Sequence, residues 1–116
     1  MKTYQHRVMD WMMACFSNEI VRNRQERNHR FLEESLELAQ SLDCTREAAH
    51  ALVDYVFDRA QGNPLQELGG VMVTIAALSN VHGLDMDEAA DIELARIWQD
   101  IDKIRAKQQI KPQLYE

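Results

Sequence analysis

Glycine and proline are scarce, four and two in 116 residues. A β-sandwich or barrel needs many turn signals, so this shortage favours an all-helical chain. The two cysteines, Cys15 and Cys44, are far apart, with no second Cys or His at ligand spacing. That excludes a disulfide framework and a zinc site, and a reducing, cytoplasmic setting is expected. Basic residues are in the minority, 13 against 19 acidic, for a net charge of −6. Binding to a nucleic-acid polymer normally shows as a basic excess, so no such partner is expected. Long hydrophobic runs are missing. The most apolar stretch, Val71–Leu78, is far short of the roughly 20 residues of a membrane span, so no membrane partner is expected. Charge and histidine interrupt the first sixteen residues, which argues against a cleaved signal peptide. There is no Gly-rich phosphate loop and no Ser/His/Asp order of a hydrolase triad.

What is present is enough apolar material, 46%, for a real core. Tyr4, Val8, Trp11, Met12 and Cys15 fall at helical spacing and predict a helix over about 3–17, with a break at Ser17-Asn18. Phe31, Leu32, Leu38, Ala39 and Leu42 share one face of a second helix, about 23–42. Thr45 is a good N-cap for a third helix, about 46–60, with Ala48, Leu52, Tyr55, Val56 and Arg59 as its inner stripe. Gln61-Gly62-Asn63-Pro64 is the clearest punctuation: Gly62 suits a helix end and Pro64 a first turn. The fourth helix, about 64–82, is apolar almost all round, as in the centre of a bundle or a subunit interface. Asp85 and Glu88 resemble a capping box and open a fifth helix to about Lys107. The sequence therefore predicts one all-α domain over 1–116, a bundle of four or five helices. Residues 1–22 form an N-terminal helix and connection, 23–107 the helical core, and 108–116 a flexible tail. The small size and the apolar fourth helix together predict an oligomer.

Two carboxylate features could carry chemistry. Glu34 and Glu37 are three apart, close enough on a helix to share a ligand. The bland alternative is a solvated edge with ion pairs such as Arg30–Glu34. Glu67 is the only acid of the fourth helix and shares a stripe with Val71, Thr74 and Leu78, so burial is expected. A buried carboxylate must be paired, protonated or metal-bound. The alternative is a first-turn glutamate favoured by the helix dipole and paired to arginine. Gly69 and Gly70 follow inside the helix, where glycine is unfavourable unless something approaches closely. Three acids on two helices would form an oxygen-only site suited to Mg²⁺ or Mn²⁺. Arg22, Arg24, Arg27 and Arg30, then Arg96, Lys103 and Arg105, could hold phosphates, although each also reads as a solvated or paired side chain. His50, Asp54 and Asp58 repeat at helical spacing but read as a solvated face. Met9, Met12, Met13, Trp11 and Trp98 read as packing residues.

The run Phe31-Leu32-Glu33-Glu34-Ser35-Leu36-Glu37-Leu38-Ala39-Gln40, followed by Gln66-Glu67-Leu68-Gly69-Gly70-Val71-Met72, resembles the all-α nucleoside triphosphate pyrophosphohydrolases of the MazG type. The resemblance covers about 24–106. That family carries E-x-x-E on one helix and E-x-x-D on a later one. Glu34 and Glu37 match the first pair and Glu67 the first acid of the second, while Gly70 stands where the fourth acid is expected. Glu33 and Glu93 are candidate substitutes, and Arg96 falls near a basic position of the family. The resemblance implies Mg²⁺-dependent hydrolysis of a nucleoside triphosphate to monophosphate and pyrophosphate, in a house-cleaning role toward non-standard or excess nucleotides. Glu34, Glu37 and Glu67 would hold metal and act in catalysis, and Arg27, Arg30 and Arg96 would hold phosphates. It also implies a dimer or tetramer. The alternatives are a catalytically impaired nucleotide- or metal-binding module and a structural helical oligomerisation protein.

Overall fold

The computed structural model describes residues 1–112. Among them are seven helices and no strand: α1 (Tyr4–Cys15), α2 (Asn18–Arg22), α3 (Arg24–Ser41), α4 (Arg46–Phe57), α5 (Pro64–Val81), α6 (Met86–Gln99) and α7 (Ile101–Ile110). None of these helices is long and apolar enough to cross a membrane. The expected helix starts are met by side-chain caps. Thr45 Oγ1 accepts from the Ala48 amide at 3.1 Å, Asn63 Oδ1 from Leu65 and Gln66, and Asp85 Oδ1 from Glu88 at 2.9 Å. Each satisfies an amide that the first helical turn leaves without a partner. Pro64 sits in the first turn of α5, where its missing N–H costs nothing.

Three expectations are corrected. The helix predicted from Asp85 to Lys107 is broken at Asp100 into α6 and α7. The break has a partner: the Ile97 carbonyl, near the end of α6, accepts from the Trp11 indole N–H at 3.0 Å. The segment after Ser17 is also not a simple break but the short helix α2, opened by the Ser17 hydroxyl. Gln108, where the tail was expected to start, is a buried residue of α7. Residues 113–116 of that tail lie outside the described residues.

The turns after α3 and α5 are built alike. Each helix is followed by a residue with positive φ, Asp43 at 70° and Gly83 at 65°. Beyond it an amide reaches back five residues, Cys44 to Ala39 and Leu84 to Ser79. This is the Schellman closure, which satisfies late helix carbonyls. Glycine takes that conformation freely, whereas aspartate takes it under mild strain.

The chain divides into two compact units, residues 1–35 with the described residues from Ala90 onward, and residues 36–89. In the first, Trp11, Cys15 and Leu94 form a buried cluster, with Val8, Met12, Phe16, Ile97, Ile101 and Ile104 packed around it. Arg105 of α7 donates to the carbonyls of Ala14 and Cys15, which close α1. Burial pushes the Cys15 thiol up, with Arg105 opposing weakly, so it behaves as a small apolar group. A charged group is buried here as well. Glu26 is 1% exposed. Its Oε1 accepts from Gln108 Nε2 at 2.6 Å and lies 3.0 Å from Arg30 Nε, which ties α3 to α7. In the second unit no residue is buried at all. The stripe expected to face inward on α4 is exposed, including Leu52, Tyr55 and Val56, and so is most of α5.

Removing the Glu26 carboxylate leaves the buried Gln108 amide without its acceptor while Arg30 keeps Glu33, a loss of about 1–3 kcal/mol. Glu26→Ala should lose stability of that order in a urea or thermal melt, far more than Glu19→Ala on the exposed first turn of α2.

Candidate functional site

Glu34 and Glu37 both lie on α3 and both are exposed. Their neighbour Glu33 is engaged. Its Oε1 accepts from Lys111 Nζ at 2.6 Å and from Arg30 NH1 at 3.2 Å. The hydrogen bond from Lys111 holds the Glu33 carboxyl below its ordinary range, against partial desolvation and with help from both positive charges. Glu93, the other candidate substitute, is paired within α6. Both its oxygens accept from the Arg96 guanidinium, Oε1 from Nε at 2.8 Å and Oε2 from NH2 at 2.6 Å. That fork lowers the Glu93 pKa and raises that of Arg96, which also reaches Asp100 at 3.1 Å. The two acids that could substitute at a metal site are therefore the two that cations already hold.

The expected phosphate-binding arginines are engaged inside the first unit. Arg30 contacts Glu26 and Glu33 and donates to the Pro112 carbonyl at 2.8 Å. Arg27 stacks over the Phe16 ring at 5.7 Å and approaches Glu26 at 3.8 Å. Arg22 bonds Asn18, and Arg105 closes α1. The last role was not visible from sequence, because it links residues about 90 positions apart.

The burial expected for Glu67 is not found. Glu67 is exposed in the first turn of α5 and makes no ion pair among the described residues. The reason is that α5 has no buried face in this chain. The carboxylate instead folds back over Gly62: a Cβ there would lie 3.2 Å from the Glu67 carboxyl carbon. Nothing approaches Gly69 or Gly70, and a Cβ at either would meet no atom within 4 Å. The close neighbour expected there is not supplied by this chain, and an acid at position 70 would meet no steric obstacle. Glu37 and Glu67 belong to the second unit, while Glu34 belongs to the first. Among the described residues no group of three or more His, Cys, Asp or Glu is placed to hold a metal ion. The acids have the hard-oxygen chemistry that suits Mg²⁺.

His50, Asp54 and Asp58 lie on an exposed face, as expected. Met9, Met13 and Trp98 do not pack inward as expected: all three are exposed. Trp98 joins Arg7, Asp10, Leu94 and Ala95 around a surface pocket of about 310 Å³ in the first unit. Its polar groups are already paired, Arg7 with Asp91 at 2.9 Å and Asp10 with Lys2 at 2.7 Å. The i,i+4 spacing of Leu94 and Trp98 was the available signal for this pocket. No family model, characterised protein or solved structure matches the chain.

The depressed Glu33 carboxyl has a consequence for pH. Its pairing stabilises the fold above the ordinary glutamate range, about pH 4.3, and is lost as pH falls through the lower folded value. Lys111→Ala should therefore lower stability at pH 7 by under about 1 kcal/mol, since the pair is partly exposed. The gap from the wild type should close in acid. Denaturant melts at pH 7 and pH 3 measure it, and an equal gap at both would show that Lys111 acts through packing alone.

Proposed function

We propose that this chain is a Mg²⁺-dependent nucleoside triphosphate pyrophosphohydrolase of the MazG-like kind, acting in the cytoplasm on non-standard or excess nucleotides. One observation carries the reading. Glu37 and Glu67, two of the three acids that match the family motifs, are exposed and make no ion pair among the described residues, whereas the off-motif Glu33 and Glu93 are held by cations. A carboxylate bound by arginine is a poor metal ligand, because the cation would have to leave first. Glu37 and Glu67 are open to an incoming ion.

In this reading Glu34, Glu37 and Glu67 supply oxygen ligands. When bound, the metal neutralises phosphate charge and lowers the pKa of a coordinated water. The chain's own acids orient that ion, and the position of Glu67 at the start of α5 is kept by the space over Gly62. Because Arg27 and Arg30 are engaged inside the fold, Arg96 is the one of the three expected phosphate ligands with the easiest release: its pairs are local and exposed to solvent.

The test is pyrophosphate release from a panel of standard and modified NTPs and dNTPs, with Mg²⁺ or Mn²⁺ and with an EDTA control. Metal-dependent release with the matching monophosphate, lost in Glu34→Gln and Glu67→Gln variants that still fold, is expected. No release from folded protein overturns the catalytic reading.

A second reading rests on Gly70. The open space there is where the family motif has its second acid, so the chain could bind metal and nucleotide without turning over. Gly70→Asp places an acid in that space at a cost of no steric contact. If the missing ligand limits catalysis, this variant should release pyrophosphate at least tenfold faster than wild type. An equal rate in the two proteins would show that position 70 is not limiting.

A further inference from the structure

On the reading that Arg30 and the acids beside it on α3 hold metal and phosphate, we propose that Lys111 and Pro112 form an autoinhibitory strap. The strap occupies these groups in the resting chain and lifts before a metal-bound triphosphate enters.

Local chemistry sets where the strap begins. The residue before a proline is disfavoured in helical conformation, so Pro112 ends α7 at Ile110 and sends Lys111 out extended, at φ −71° and ψ 146°. Gln108, just upstream, is buried and donates to Glu26 at 2.6 Å, which fixes where the chain leaves the helix. Lys111 and Pro112 then lie against α3, with contacts to Arg30 and Glu33. Ile110 is 83% exposed and Pro112 is exposed as well, so apolar burial does not hold the strap down. What holds it is polar and partly exposed, and such contacts are weak. The strap therefore opens at Lys111 while Gln108 keeps α7 in place.

The two residues present a matched pair of stand-ins. Two nitrogens of the Arg30 guanidinium face acids of its own helix: Nε lies 3.0 Å from Glu26 Oε1, and NH1 donates to Glu33 Oε1 at 3.2 Å. NH2 instead reaches the strap and donates to the Pro112 carbonyl at 2.8 Å. An oxygen that accepts from a guanidinium at this distance fills the place of a phosphate oxygen. A phosphate carries charge and is the stronger acceptor, so it displaces a neutral carbonyl. Beside it, Lys111 Nζ sits 2.6 Å from Glu33 Oε1. An ammonium on that carboxylate fills the place of a metal cation. Lys111 and Pro112 thus offer the acid a cation and the arginine an oxygen, which is what a metal-bound triphosphate offers. Glu33 directly precedes Glu34, the first acid of the E-x-x-E pair. The strap and the substrate therefore compete for one end of α3.

The experiment is calorimetric titration of the full chain with inorganic triphosphate in the presence of Mg²⁺. A strap closed about two-thirds of the time weakens apparent affinity about threefold. Lys111→Glu repels Glu33 and opens the strap, so it should bind at least about threefold more tightly than wild type. Bulk charge predicts the opposite sign, because the substitution makes an acidic chain more negative toward an anion. Lys2→Glu makes the same charge change away from the strap and should bind no more tightly than wild type. Lys111→Ala, which removes the cation at little cost to the fold, should gain affinity in the same direction and covers a failure of Lys111→Glu to fold. Equal or weaker binding by the folded Lys111 variants, where wild type binds, overturns the strap alone. An equal gain in Lys2→Glu does the same. No binding by any of these proteins overturns the metal and phosphate reading, and the strap with it.

Discussion

Residues 36–89 carry all of α4 and α5, the end of α3 and the first turn of α6, yet not one of these residues is buried. This constraint governs the rest of the account. Isolated helices of 12 and 18 residues are marginal in water, and most helical stability comes from packing an apolar face. Caps at Thr45, Asn63 and Asp85 and the paired Schellman turns fix where the helices begin and end. They contribute on the order of 1 kcal/mol each, too little to hold exposed leucines, valines and a tyrosine in order. Covering these apolar faces would add the stabilisation that caps and turns do not supply.

The first unit shows how the same chain closes a core when partners are available. Trp11, Cys15 and Leu94 provide the apolar centre. Its polar contacts are directional. The indole N–H takes the Ile97 carbonyl, which also accepts from the Asp100 amide at the α6–α7 break, Arg105 takes the last carbonyls of α1, and Gln108 takes the Glu26 carboxylate, with Arg30 as its ion-pair partner. A buried ion pair adds little net stability over apolar packing. The Gln108 bond does favour this placement of α7, because a shifted helix would leave the buried Glu26 carboxylate with its arginine pair and no bond from α7. The same network draws Arg30 and Lys111 onto Glu33, whereas Glu37, four residues on, makes no ion pair among the described residues.

The helices were largely legible because their signals are local. Thr45, Asn63-Pro64 and Asp85 mark starts through contacts two or three residues away, and periodicity marks the stretches between them. The break at Asp100 was not legible, since no glycine or proline marks it and its partner is Trp11, 86 positions distant. Periodicity identified apolar faces on α4 and α5 but cannot say whose core they enter. That is why Glu67 was expected to be buried and is exposed. At the candidate site, Arg96 with Glu93 is an i,i+3 pair that sequence spacing allows. Lys111 with Glu33 joins opposite ends of the chain, so the engagement of Glu33 could not be foreseen. The open space at Gly70 was equally invisible, because a glycine in a helix reports strain without reporting its cause.

The most direct measurement is hydrogen exchange of the α5 amides as a function of protein concentration. If covering by a second copy holds residues 36–89 together, α5 amides should be protected at high concentration. They should lose that protection on dilution, while the Trp11 region of α1 keeps more of its own. Strong protection of α5 at concentrations where the chain sediments as a single copy would contradict the account.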